Sequence, residues 1–64
     1  MEIARISTEY ENALAKKREL TERLRHLEGT DPHNLRELWM TRDQIAYWQG
    51  KAEGLKFALD EIES

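Results

Sequence analysis

Only one short segment of this chain interrupts a helical pattern of apolar residues. It is Gly29-Thr30-Asp31-Pro32, and three of its residues suit a helix end. Gly29 can adopt the left-handed conformation that closes a helix, Asp31 can accept hydrogen bonds from free backbone N–H groups, and Pro32 fits a first helical turn. We therefore predict helices at about 2–28 and 32–63, joined by a turn at 29–31. A connection this short makes the two helices antiparallel neighbours.

Each predicted helix carries one apolar stripe whose spacing alternates between three and four residues, the pattern of a coiled-coil seam. The first seam contains Ile3, Ile6, Tyr10, Ala13, Lys17, Leu20, Leu24 and Leu27. The second seam contains Leu38, Thr41, Ile45, Trp48, Ala52, Leu55, Leu59 and Ile62. The predicted fold class is all-α: a two-helix antiparallel hairpin that forms a single domain over residues 1–64.

The two seams can face each other in two registers. In the register that we prefer, Leu24 lies opposite Thr41, and the one charged seam residue, Lys17, meets Trp48 in a cation–π contact. A slip of about one turn would instead place three polar residues in the seam: Arg42, Gln49 and Lys56.

The second helix has more apolar surface than one partner helix can cover. Opposite its seam runs a second stripe, here called the outer face, with Asp43 and Glu61 in the same stripe. Trp39 flanks this stripe, and the candidate interface residues are Trp39, Met40, Tyr47, Gly50, Gly54 and Phe57. A helix that is apolar on two sides is usually buried on two sides. We therefore expect the outer face to be a protein interface.

The two glycines of the outer face, Gly50 and Gly54, suggest how another helix could approach it. Each costs about 1 kcal/mol relative to Ala inside a helix, and small residues four apart let a second backbone come close. We expect a homodimer of hairpins that forms a four-helix bundle, with a twofold axis near these glycines. Two alternatives remain: a solvated face that tolerates glycine, or a notch for a different partner or a ligand.

A basic cluster on the first helix supports an alternative function, the binding of an anionic ligand such as nucleic acid or a nucleotide. Its residues are Lys16, Arg18, Arg23 and Arg25. Acidic residues are interleaved with this cluster, and the formal net charge of the chain is −3. Nucleic-acid binders usually have a net basic footprint, so nucleic acid is the less favoured partner.

The composition argues against catalysis. The chain has no cysteine, the spacing of His26 and His33 matches no zinc signature, and no glycine-rich phosphate loop is present. No apolar run approaches the ~20 residues of a membrane span. We expect no enzyme activity, no cofactor, no metal and no membrane insertion. The expected function is a cytoplasmic regulator, inhibitor or adaptor that self-associates and binds a larger protein.

Overall fold

Two long α-helices lie side by side in the structure, which is a computed structural model that describes residues 2–63. They are α1, Glu2–Thr30, and α2, Leu35–Glu63. Each has 29 residues, or about 44 Å of helix at 1.5 Å per residue, and the longest dimension of the molecule is 46 Å. The helices therefore overlap along their whole length, which confirms the helical hairpin. No strand occurs among the described residues.

The first helix ends later than the sequence predicted. It continues through Gly29 to Thr30, and none of the described glycines has a positive φ. The backbone N–H of Asp31 still donates to the carbonyl of Leu27 at 2.8 Å, and the Thr30 hydroxyl donates to the carbonyl of His26 at 2.8 Å. The prediction that Gly29 closes the helix is therefore wrong, because these bonds complete the last turn without a left-handed residue.

The second helix begins at Leu35 and is capped by Asn34. The side-chain oxygen of Asn34 accepts the backbone N–H of Glu37 at 3.3 Å, which is the geometry of an N-cap. The Asp31 carboxylate instead accepts a hydrogen bond from the side-chain amide N–H of Asn34 at 3.2 Å, and this bond orients the capping side chain. Pro32 lies in the turn, where it disfavours a helical conformation at the residue before it. The predicted roles of Asp31 as the cap and Pro32 as the first helical residue are wrong.

The contact between the helices follows the predicted seams. Every buried residue of the described chain is a seam residue: Ala13, Leu20, Leu38, Thr41 and Ala52. The one polar member, Thr41, donates its hydroxyl to the carbonyl of Glu37 at 2.7 Å, so burial leaves no unsatisfied group. The core is thin, since no large side chain of the described residues is fully buried.

Two ion pairs cross between the helices near the turn. Arg23 lies 3.3 Å from Glu37, and Arg42 lies 3.3 Å from Glu28. They flank opposite sides of the seam, and being exposed they add at most about 1 kcal/mol each. The three residues that the slipped register would bury are all exposed: Arg42, Gln49 and Lys56. The structure therefore has the preferred seam of α2.

Within residues 2–63, neither helix combines the length and the apolar character that crossing a membrane requires.

Candidate functional site

The outer face of α2 is exposed to solvent in the single chain. Trp39 is 66% exposed, Tyr47 60% and Phe57 67%, and Met40 is 46% exposed. α1 packs against the seam on the other side of α2 and leaves most of the surface of Trp39, Tyr47 and Phe57 exposed. The hairpin therefore presents a stripe of large apolar groups on one side of one helix.

The two glycines of this stripe have no role in the packing of the hairpin. A Cβ atom added to Gly50 or Gly54 would meet no other atom within 4 Å, and both backbones have ordinary helical φ values. Alanine would fit at either position and would stabilise α2 by about 1 kcal/mol. The isolated hairpin thus offers no physical reason for glycine at these two positions.

Tyr47 is held in place by its neighbour Trp48, which belongs to the seam. The two rings meet edge to face, with centroids 5.1 Å apart and planes at 83°, a favourable arrangement for aromatic pairs. Lys51 lies over the Trp48 ring, with its Nζ 5.3 Å from the centroid. The outer-face aromatic ring is therefore connected to the core by direct contact with a half-buried residue.

The cation over Trp48 is thus Lys51 and not Lys17, which corrects the sequence prediction. Lys51 is three residues from Trp48 on the same helix, so it reaches the ring without crossing the seam. Lys17 instead borders an open groove between the helices. The groove is lined by Tyr10, Leu14, Lys17, Gln49, Ala52, Glu53 and Lys56. Its volume of about 120 Å³ is below the ~300 Å³ at which ligand pockets usually begin.

Leu35 extends the exposed apolar surface towards the turn, and it was not among the predicted interface residues. It is 64% exposed and lies one helical turn before Trp39, so the two side chains are neighbours on α2. The sequence signal for Leu35 is this four-residue spacing from Trp39, beside the stripe that lies directly opposite the seam.

The basic cluster of α1 is partly engaged by acidic side chains. Lys16 lies 3.9 Å from Glu19, and Arg23 pairs with Glu37 of the other helix. Arg18 and Arg25 are exposed, and neither has an ion pair with another described residue. The cluster is therefore an exposed surface of mixed charge, with two of its four cations next to carboxylates.

His26 lies near the end of α1 and His33 lies in the turn between the helices, and both are exposed. Over the part of the chain that the structure describes, no three potential metal ligands come together.

Comparisons with protein families, with curated proteins and with solved structures found no match to this chain.

Proposed function

We propose that this chain is a non-enzymatic protein–protein interaction module that associates with itself through the outer face of α2. The observation that supports this proposal is the exposure of Trp39, Tyr47 and Phe57 on one side of a single helix. Tyr, Trp and Phe are enriched in the cores of protein interfaces, and Trp and Tyr are among the residues that contribute most of the binding energy there. In the assembled form the module acts as a regulator, inhibitor or adaptor of a larger protein, and the expected cytoplasmic location is part of the same proposal.

The surface area of the hairpin also supports self-association. The chain exposes 5157 Å², whereas a globular monomer of its 7.6 kDa mass exposes about 4,300 Å². Two hairpins that pack their outer faces together would form a four-helix bundle, with α2 in its centre and α1 at its periphery. Such a bundle removes apolar surface from water, which drives association.

Analytical ultracentrifugation of the wild type from micromolar to millimolar concentration tests the proposal. We expect a dimer, and we expect the double variant Tyr47→Ser, Phe57→Ser to be a monomer with an unchanged helical circular dichroism spectrum. A matched control is Ala4→Ser, Ala15→Ser, because it introduces serine at two exposed positions of α1 that lie outside both seams and away from the outer face. A wild type that stays monomeric throughout, or a control that dissociates as fully as the test variant, would contradict the proposal.

A second candidate function is the binding of an anionic ligand by α1. It is supported by Arg18 and Arg25, which lie two helical turns apart and are both exposed. Fluorescence anisotropy with a labelled single-stranded oligonucleotide at low salt tests it. This function requires binding that weakens with salt and that is lost in the variant Arg18→Gln, Arg25→Gln.

A further inference from the structure

The outer face of α2 repeats with the spacing of a coiled-coil seam. Its residues alternate at intervals of four and three, and all of them are exposed: Arg36, Met40, Asp43, Tyr47, Gly50, Gly54, Phe57 and Glu61. α2 therefore carries two seams on opposite sides, and only one of them faces α1. Three of the eight positions are apolar, two are glycine and three are charged, so the part of this stripe between Met40 and Phe57 can pack against another helix.

We infer that the helix on this second seam is α2 of a second copy, antiparallel, in the register that places Tyr47 opposite Gly50 and Arg36 opposite Glu61 of that copy. The inference rests on the proposed self-association and adds its orientation and register. By the twofold symmetry of such a contact, each of these pairings occurs twice.

A parallel pairing is disfavoured by charge. In a parallel dimer each residue of the seam faces its own equivalent, so that Arg36 would meet Arg36, Asp43 would meet Asp43 and Glu61 would meet Glu61 of the second copy. Like charges on facing positions repel each other. An antiparallel pairing avoids all three of these contacts.

Among the antiparallel registers that match the spacing of the seam, two place Tyr47, both glycines and Phe57 against α2 of the second copy, and shape distinguishes these two. If the twofold axis lies between Gly50 and Gly54, these glycines face each other and Tyr47 faces Phe57 of the second copy. Bulky pairs then hold the backbones apart at the point where the glycine pairs need them close, which leaves voids. If the axis lies between Tyr47 and Gly50, the Tyr47 ring opposes Gly50 of the second copy, so that a large side chain fills the space beside a residue without one.

Two further pairs complete this second register, and one of them joins two large side chains. Gly54 receives Asp43 of the second copy, and Met40 packs against Phe57 of that copy. The notch formed by the two glycines is therefore occupied by side chains of the second copy. This gives both glycines a role that contacts within the single hairpin do not provide.

Charge favours the same register. With the axis between the glycines, Asp43 faces Glu61 of the second copy, and symmetry repeats this repulsion. With the axis between Tyr47 and Gly50, Glu61 faces Arg36 of the second copy, and symmetry repeats this attraction. Shape and charge are independent observations, and both point to the contact between Tyr47 and Gly50.

Charge reversal tests the register directly. Arg36→Glu places an acidic residue in the first turn of α2, and Glu61→Arg places a basic residue in its last turn. Both changes improve the match with the helix dipole, and urea unfolding of each monomeric variant measures whether the hairpin keeps its stability. Each variant alone converts two opposite-charge contacts into two like-charge contacts, and we expect its dimer dissociation constant to rise about tenfold.

An equimolar mixture of the two variants gives the decisive result. The Arg36→Glu chain carries acidic residues at both positions, and the Glu61→Arg chain carries basic residues at both, so a mixed antiparallel pair restores two attractive contacts. Sedimentation velocity should show dimers in the mixture at a concentration where each variant alone is a monomer. Matched reversals on the polar face of α1, Arg18→Glu and Glu22→Arg, should show no such preference.

The other outcomes overturn the inference in distinguishable ways. If the wild type dimerises but the mixture shows no preference, the register is wrong and the proposed self-association stands. If Glu61→Arg alone tightens the dimer and Arg36→Glu changes nothing, the axis lies between the glycines. If the wild type is a monomer at every concentration, the proposed function itself fails.

Discussion

Substitution of Gly54 by Leu should move the stability of the hairpin and the strength of its self-association in opposite directions. In the single chain a Cβ atom at Gly54 meets nothing within 4 Å. Replacing glycine by a good helix former in a helix interior contributes about 0.8–1 kcal/mol. The monomeric hairpin should therefore become more stable by about that amount.

In the proposed dimer, the same change prevents the close contact between the two α2 helices. A leucine side chain added to a filled interface costs about 1–3 kcal/mol, and the twofold axis applies the change at two sites. The free energy of dimerisation should weaken by about 2–6 kcal/mol, which corresponds to a dissociation constant at least tens of times larger. Opposite signs for the two quantities separate an interface effect from a folding defect.

Gly29 provides a matched control for this substitution. It is also an exposed helical glycine with open space around its Cβ position, but it lies at the end of α1 and away from the outer face. Urea unfolding at a concentration where the chain is monomeric measures the hairpin, and sedimentation equilibrium measures the dimer. Gly29→Leu should leave dimerisation unchanged. Dimerisation that survives Gly54→Leu intact would refute the close contact at the notch.

Three further predictions concern the hairpin and its assembly. Leu20→Ala, which truncates a seam residue that is 8% exposed, should lower the free energy of unfolding by about 2–5 kcal/mol; a cost near zero in urea unfolding would mean that the seam is misassigned. Asn34→Ala should cost about 1 kcal/mol through loss of the N-cap, and more than Asp31→Ala, which only removes the side chain that orients the cap; the reverse order in urea unfolding would contradict the capping geometry. The thermal midpoint of the wild type should rise with protein concentration, because association stabilises the folded state by mass action; circular dichroism melts that coincide over a hundredfold range would exclude coupled association.

The seams could be predicted from the sequence because apolar residues at intervals of three and four form one stripe along a helix. In a chain this short, only the other helix of the hairpin is available within the chain to cover that stripe. A stripe with that period must face another helix, and the single break places that helix next to it. This reasoning located even the polar members of the seams, since Thr41 is buried and Lys17 is half-buried.

The exact residues at which the helices end and begin could not be predicted, because the residues of the turn allow several conformations. Glycine allows a left-handed helix end but does not impose one, so Gly29 remained helical. Asp31 and Asn34 are both able to cap a helix, and their order relative to Pro32 does not decide between them. The choice depends on which backbone N–H groups each side chain reaches, and this follows from the three-dimensional path of the turn.

The partner that covers the outer face could not be predicted from the periodicity of the sequence, for a different reason. The sequence places two stripes on α2, and the packing of α1 uses one of them. The stripe that remains has a spacing but no partner within the chain, so its partner must be argued from complementarity of shape and charge. Complementarity of this kind depends on the exposure of each residue and on the open space at the glycines, and both of these come from the structure.

The two faces of α2 have opposite effects on the stability of the single hairpin. The seam stabilises it by burying Leu38, Thr41 and Ala52, whereas Gly50 and Gly54 together lower helix stability by about 2 kcal/mol relative to alanine. In a chain of 64 residues, whose core rarely supplies more than about 3–5 kcal/mol, that cost is a large fraction of the total. In the proposed dimer the same glycines admit side chains of a second copy, and the burial of Tyr47 and Phe57 offsets their cost. Folding and self-association are then coupled through one helix.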